Sequence, residues 1–273
     1  MRITVILTCF NRREKTISCV NSLIDGNPEF ELCFVVVDDN SSDGTAEALQ
    51  GLEADVKVIK GTGTLFWSGG MRKGIDWVFE NVTQSDYILL VNDDVVFYRK
   101  ILLPMVGKSQ LHDDAVIVGA TCDSRGNLTY GGMKLIEPRK RGIYRHVDLD
   151  ESDEPCDLFN CNCVLLKFDI MKRAGNFDPV YVHGMADLDY GLRLSRSGIL
   201  ILSSDDYVGE CEKNTIKGTW QDKSLSRIER LKRKESAKGA PIRPWFHYLK
   251  KNFGIIPAIR YSFSSYAKIL FGK

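Results

Sequence analysis

"YILLVNDDVVFY", residues 87–98, runs five apolar or aromatic residues into an asparagine and two adjacent carboxylates, Asp93 and Asp94. A continuous apolar run of this length, closed by turn-forming residues, reads as a strand buried on both faces. Two carboxylates side by side repel each other and resist leaving water, so such a pair needs a cation or hydrogen-bond donors to match it. "FELCFVVVDD", ending in Asp38 and Asp39, repeats the pattern upstream.

Outward from these strands the elements alternate. "ITVILTCF" and "VKVIKG" read as further strands, and "REKTISCVNSLID" and "SGGMRKGIDWVFENV" carry apolar residues at helical spacing. "NSSDGTAEALQGL" reads as a turn and a helix start. This β-α-β-α-β-α-β order predicts an α/β fold with a mostly parallel sheet covered by helices on both faces. Ligands of such sheets lie at the carboxyl ends of the strands, where both acid pairs fall.

Composition narrows the classes. The 273 residues are 44% hydrophobic, enough for a substantial core, and 37 Lys and Arg against 36 Asp and Glu argue against a protein built to hold nucleic acid. That balance is uneven along the chain, with twelve basic and two acidic residues from Arg227 onward. The eight cysteines form no C-x-x-C pair, which points to reduced thiols and not to a zinc or iron–sulfur centre. "MRITVILTCF" reads as a strand, not a signal peptide, and no apolar run approaches a membrane span, so a cytoplasmic location is expected.

The residues themselves suggest a chemistry. Asp93 and Asp94 suit a hard divalent ion, magnesium or manganese, whose remaining ligands come from a diphosphate. Asp38 and Asp39 suit hydrogen bonds from a nucleobase or ribose. Gly69 and Gly70 of "FWSGGMRKG" would let backbone approach the ligand, with Arg72 available for negative charge. The competing reading makes each acid pair a turn cap.

Four ordered motifs, "TVILTCFNR", "VVVDDNSSDGT", "LLVNDDV" and "ADLDYGLRLSRSG", resemble the family-2 glycosyltransferases, inverting enzymes of the GT-A fold, over roughly residues 1–210. "GTLFWSGGMRKGID" and "YVHGMADLDYGLR" look most like the branch of rhamnosyltransferase-like enzymes of bacterial surface-polysaccharide assembly. The resemblance implies a catalytic domain over 1–210, its nucleotide-sugar half 1–110 and its acceptor half 111–210, followed by a helical extension over 211–273. It implies that Thr8 and Asn11 border the nucleotide, that Asp39 contacts the base with support from Asp38, and that Asp93 faces ribose or donor sugar. Asp94 matches the metal ligand of the family's D-x-D-like motif, whose first position here is Asn92. Asp187 matches the catalytic base. Its expected place at a helix N-terminus would keep it ionised, ready to take a proton from the acceptor hydroxyl. Asp189 is expected to pair with Arg193 or a loop amide.

The sequence departs from the family's pattern in places. Ala186 stands where Glu usually precedes the base, and Cys161, between Asn160 and Asn162, stands where relatives place Gly. Residues 203–226 lack the metal-ligating His of many relatives, leaving water, Asp205, Glu210 or Glu212 for that position. His183 is a candidate acceptor contact or metal neighbour, and Trp67 a candidate face for the sugar ring or a core residue. The implied partners are a UDP-, dTDP- or GDP-linked sugar and a glycan or lipid-linked glycan acceptor. The basic, aromatic-rich tail suits either the surface of an anionic membrane or packing on the body.

Two rivals remain open. A nucleotidyltransferase would want a Gly-rich phosphate loop after the first strand, and "TCFNRREKT" has no glycine. A non-catalytic nucleotide-sugar-binding subunit is favoured by Ala186, Asn92 and Cys161 and opposed by Asp94 and Asp187.

Overall fold

The computed structural model describes residues 1–136 and 143–272. Its strands are β1 (Arg2–Cys9), β2 (Glu31–Asp38), β3 (Asp55–Lys60), β4 (Tyr87–Val91), β5 (Val96–Phe97), β6 (Val116–Cys122), β7 (Leu128–Tyr130), β8 (Gly132–Leu135), β9 (Tyr144–His146), β10 (Leu158–Phe159), β11 (Cys163–Lys167) and β12 (Ile201–Glu210). The helices are α1 (Arg13–Gly26), α2 (Thr45–Gln50), α3 (Phe66–Asn81), α4 (Leu102–Leu111), α5 (Phe168–Ala174), α6 (Ala186–Arg196), α7 (Arg227–Lys234), α8 (Ile242–Phe253), α9 (Ile255–Ser262) and α10 (Ser264–Phe271).

The main sheet runs β3-β2-β1-β4-β11-β6-β12-β5. The first four strands are mutually parallel, β11 lies antiparallel to both β4 and β6, and β12 rejoins β6 in parallel. This is the α/β, mostly parallel sheet expected from the alternating elements, and it has the GT-A architecture that the resemblance implied. A smaller sheet, β10-β8-β9, packs beside it.

The run Tyr87–Val91 is buried throughout because helices cover both faces. Ile88 and Leu90 join a core shared with α3, α6 and α8, while Tyr87, Leu89 and Val91 point to the opposite core with α1 and α4. Period-two alternation therefore vanishes from this strand, as it must when neither face meets water. The strand stops before the acids, and Val96–Phe97 forms a separate strand that pairs with β12 at the far edge.

Helix α3 begins at Phe66, two residues before the expected start. Its first turn has no cap of its own. Asp39, from the neighbouring strand end, accepts from the Leu65 and Phe66 amides at 2.8 and 3.1 Å and so stabilises the helix where local sequence does not. Downstream of β12, Tyr248 and Leu249 of α8 are fully buried in the core beside α6. Among the described residues no helix is long and apolar enough to cross a membrane.

Candidate active site

At the carboxyl end of β1, Thr8 Oγ1 donates to the Val37 carbonyl at 2.9 Å. Helix α3 crosses against this threonine at Gly70, where a Cβ would stand 2.1 Å from Thr8 Oγ1. Gly70 thus seats a helix on the sheet. The expected approach of Gly69 and Gly70 to a ligand is not what the structure uses them for, since both lie buried inside α3.

The β1 end and the β2 end are tied together. Asn11, held at φ 50, accepts from the Ser42 amide at 2.8 Å, and Asp38 accepts from the Ser41 amide at 2.9 Å. Asp39 accepts four backbone bonds, from Thr62, Gly63, Leu65 and Phe66. Those four donors fill the acceptor sites of a carboxylate. Asp38 and Asp39 therefore cap turns and fix the loops around the cleft, and Asp39 lines that cleft with its carboxylate already engaged by four amides.

The second pair behaves differently. A single nitrogen of Arg12, Nη1, donates to Asp93 Oδ1 at 2.9 Å and Asp94 Oδ2 at 3.1 Å. Thr16 Oγ1 reaches the other Asp93 oxygen at 3.4 Å, and Cys211 Sγ reaches Asp94 Oδ1 at 3.7 Å. Burial pushes the Asp93 carboxyl up to about 6, Arg12 opposing the shift and Asp94 adding to it. Asn92 is occupied elsewhere, its Oδ1 accepting from the Trp67 indole at 2.7 Å while Trp67 stacks on Phe177.

Among the described residues no group of three His, Cys, Asp or Glu side chains could enclose a metal ion. Asp205 pairs with Lys108, Glu210 accepts from Tyr98, and Glu212 accepts from the Ser124 amide, so none of the three supplies the ligand position considered for them. The donor set of Asp93 and Asp94 fits a hard cation that arrives with diphosphate oxygens and does not fit one held by protein alone.

Thr8, Arg12, Asp39, Phe66, Trp67, Asp93, His183 and Lys238 meet around a cleft of about 220 Å³. His183 edges against the Phe66 ring, and its Nδ1 finds no hydrogen-bond partner among the described residues. Burial, then Lys238 and Arg12, lower its pKa, which favours the neutral imidazole. Arg72 is not there. Its Nη1 donates to the Tyr181 carbonyl at 3.3 Å, bracing the segment that leads to His183. The positive charge expected of Arg72 comes instead from Arg12 and from Lys238 of the C-terminal extension. Neither was legible locally, since Arg12 lies 81 residues from Asp93 in sequence.

Asp187 is the second residue of α6. Its Oδ1 accepts from the Leu188 amide at 2.9 Å and its Oδ2 from Asn160 Nδ2 at 3.4 Å. Burial raises its pKa against the pull of these donors, so desolvation outweighs the stabilisation expected from the helix terminus. A carboxylate with a raised pKa is a stronger base. Cys161 turns its thiol into the core and does not face the cleft. Asp189 is buried, and its partners are Lys251 Nζ at 2.7 Å and Asn252 Nδ2 at 2.8 Å of α8, not Arg193.

One short segment links the two acid sites. Asn160 donates to Asp187, while two residues on the Asn162 carbonyl accepts from the Asn92 amide at 3.3 Å, and the Asn162 side chain reaches Cys211 and through it Asp94. Asp187 and the Asp93–Asp94 pair are thus held at either end of the tripeptide Asn160–Asn162.

A mostly parallel sheet with paired acids past the end of β4, and a separate, half-buried carboxylate at the start of α6, is an α/β architecture suited to group-transfer chemistry. Residues 4–173 match the glycosyl transferase family 2 model, and the chain belongs to that family. No curated protein matches the chain. Among solved structures it resembles the mannosyltransferase PcManGT from Pyrobaculum calidifontis in complex with GDP-Man and Mn2+, at 13% identity and TM-score 0.60, over 99% of this chain and 74% of that one. It also resembles S. aureus TarS 1-349 in complex with UDP-GlcNAc, at 13% identity and TM-score 0.61, over 98% of this chain and 90% of that one. GalNAc-T7 with UDP, GalNAc and Mn2+ aligns at 11% identity and TM-score 0.59, over 78% of this chain and 43% of that one.

Proposed function

We propose that this glycosyltransferase moves a sugar from a UDP-, dTDP- or GDP-linked donor to an acceptor hydroxyl with inversion, Asp187 serving as the base. The observation that carries the reading is the pairing of a proton-accepting carboxylate and a charge-binding acid pair across Asn160–Asn162. The donor lies in the cleft, with Trp67 against the sugar face, Thr8 at the nucleotide, and Arg12 and Lys238 toward the diphosphate. A divalent cation, held by Asp94 with Asp93, would neutralise the departing diphosphate. That solved structures of the same fold carry GDP-Man with Mn2+, and UDP-GlcNAc, supports both donor and cation.

The acceptor hydroxyl approaches from the opposite face of the sugar. Asp187, desolvated and oriented by Asn160 and the Leu188 amide, takes its proton as the new bond to the anomeric carbon forms and the diphosphate leaves. His183, neutral and with Nδ1 free, is placed to orient acceptor or donor hydroxyls. The acceptor class that suits the tail is a lipid-linked glycan of surface-polysaccharide assembly, as in the rhamnosyltransferase-like branch. Melting midpoints measured with UDP, GDP and dTDP, with and without manganese, test the donor, because ligand that binds the native state raises the midpoint. A chain that responds to none of the three, with or without metal, would end this reading.

A further inference from the structure

The sequence from Ser236 to Lys273 holds seven Lys or Arg and no acid, Glu235 being the last. In the fold its aromatics divide into two groups. Tyr248 is buried, and Trp245, Phe246, Phe253 and Tyr261 pack partly buried against the core, so most of the rings that suggested a membrane face belong to the body. What remains outside is mainly aliphatic.

Helix α9 turns Ala258 and Ser262 inward. Ile255, Ile256, Ile259 and Phe263 face out, Ile256 being 76% exposed. At about 100° per residue these four fall within one arc of about 100°, centred about 90° from the buried pair. Leu270 and Phe271 of α10 are exposed as well, Phe271 at 76%. Exposed Arg260 and Lys268 stand on the same two helices. Large apolar side chains exposed on two helices whose own charged residues are all basic mark a contact surface.

We propose that the outer face of α9 and α10 docks on an anionic lipid bilayer. Hydrocarbon receives Ile255, Ile256, Ile259 and Phe263, and lipid phosphates receive Arg260 and Lys268. Charge selects this occupant. A second copy of the chain would bring the same cations and no acid from this segment, setting like charges against each other. The extension that carries this face also carries Lys238 to the cleft. There Gly239 permits the turn, since a Cβ would stand 2.2 Å from the Arg233 carbonyl, and the buried Lys234 fixes it by donating to the Ala240 carbonyl at 2.7 Å. Docking therefore brings the transfer site to the lipid surface. That last consequence rests on the proposed function, while the docking itself does not.

Flotation of the full chain with phosphatidylglycerol–phosphatidylcholine vesicles, against phosphatidylcholine alone, tests the surface. Binding is expected only with the anionic lipid and falls as salt rises. The double variant Ile256→Glu, Phe263→Glu should lower partitioning by at least about tenfold. Removing Arg260 and Lys268 as serines should lower it about fivefold per charge. Melting midpoints and nucleotide responses of these variants should match the parent. Failure of the parent chain to float with anionic vesicles overturns the proposal, as does a glutamate variant that floats like it. So does a light-scattering dimer that the glutamates dissolve without any vesicle binding. Vesicle capture without any nucleotide response would leave this surface standing and remove the transferase reading.

Discussion

Replacing Asp93 with Asn should make the protein more stable at neutral pH. Burial pushes the Asp93 carboxyl up to about 6, from an ordinary carboxylate value of 3.8. The difference, 6 − 3.8 = 2.2, corresponds at about 1.4 kcal/mol each to roughly 3 kcal/mol by which folding disfavours the ionised form. Because the folded pKa lies above the unfolded one, the native state binds the extra proton between these values. Stability supplied by this group is present in full below 3.8 and is lost as pH rises toward 6. Asparagine removes the charge while its oxygen can still accept from Arg12 and its amide can donate to Thr16. Arg12 keeps Asp94, so the substitution does not leave a cation alone. Chemical denaturation of both proteins should then give a gain of up to about 3 kcal/mol at about pH 7.5 and about 1.5 kcal/mol at about pH 5, the two converging in acid. A variant destabilised at neutral pH, or a difference that ignores pH, would refute the view that burial outweighs the Arg12 pair. The stabilised protein should bind donor more weakly, as expected where a cleft holds unfavourable charge for function.

Asp187→Asn should retain the nucleotide-induced rise in melting midpoint and lose turnover by about a hundredfold or more, measured by product formation. Turnover of the parent should fall with decreasing pH through a pKa above the usual carboxylate range, because burial raises Asp187. An acidic limb at an ordinary aspartate value would argue against it as the base. Gly70→Ala should cost about 1–3 kcal/mol in unfolding free energy through its collision with Thr8, and Thr8→Ala should restore part of that loss. Asp39→Asn should destabilise by about 1–3 kcal/mol, since an amide nitrogen cannot accept the two backbone bonds that one carboxylate oxygen takes.

The strands were legible because burial on both faces leaves an unbroken apolar run, as in Tyr87–Val91 and Cys33–Val37. Asp187 was singled out from motif order, and the structure joins it to Asn160 by a hydrogen bond. Charge partners were not. Arg12 meets Asp93 and Asp94, Lys238 reaches the cleft from the extension, and Lys251 meets Asp189, each across a wide sequence separation. Pattern reading sees neighbours at helix or strand spacing, and these ion pairs obey neither. The amides that engage Asp39 were hidden for the same reason, since they lie 23 to 27 residues downstream.

Lys251 touches both Asp178 and Asp189, at 3.0 and 2.7 Å. Burial pushes the Asp178 carboxyl up, but Lys251, the Val180 amide and His247 together outweigh it and hold it at about 2. The helix that bears Asp187 is therefore anchored from behind by residues that come after it in the chain. Shortening the protein ahead of Ile242 would strip Tyr248 and Leu249 from the interior and strand Asp189 in it without a counter-charge. The minimal working unit consequently ends beyond Asn252, and a trimmed catalytic body cut at the last sheet strand should be insoluble, not merely detached from lipid.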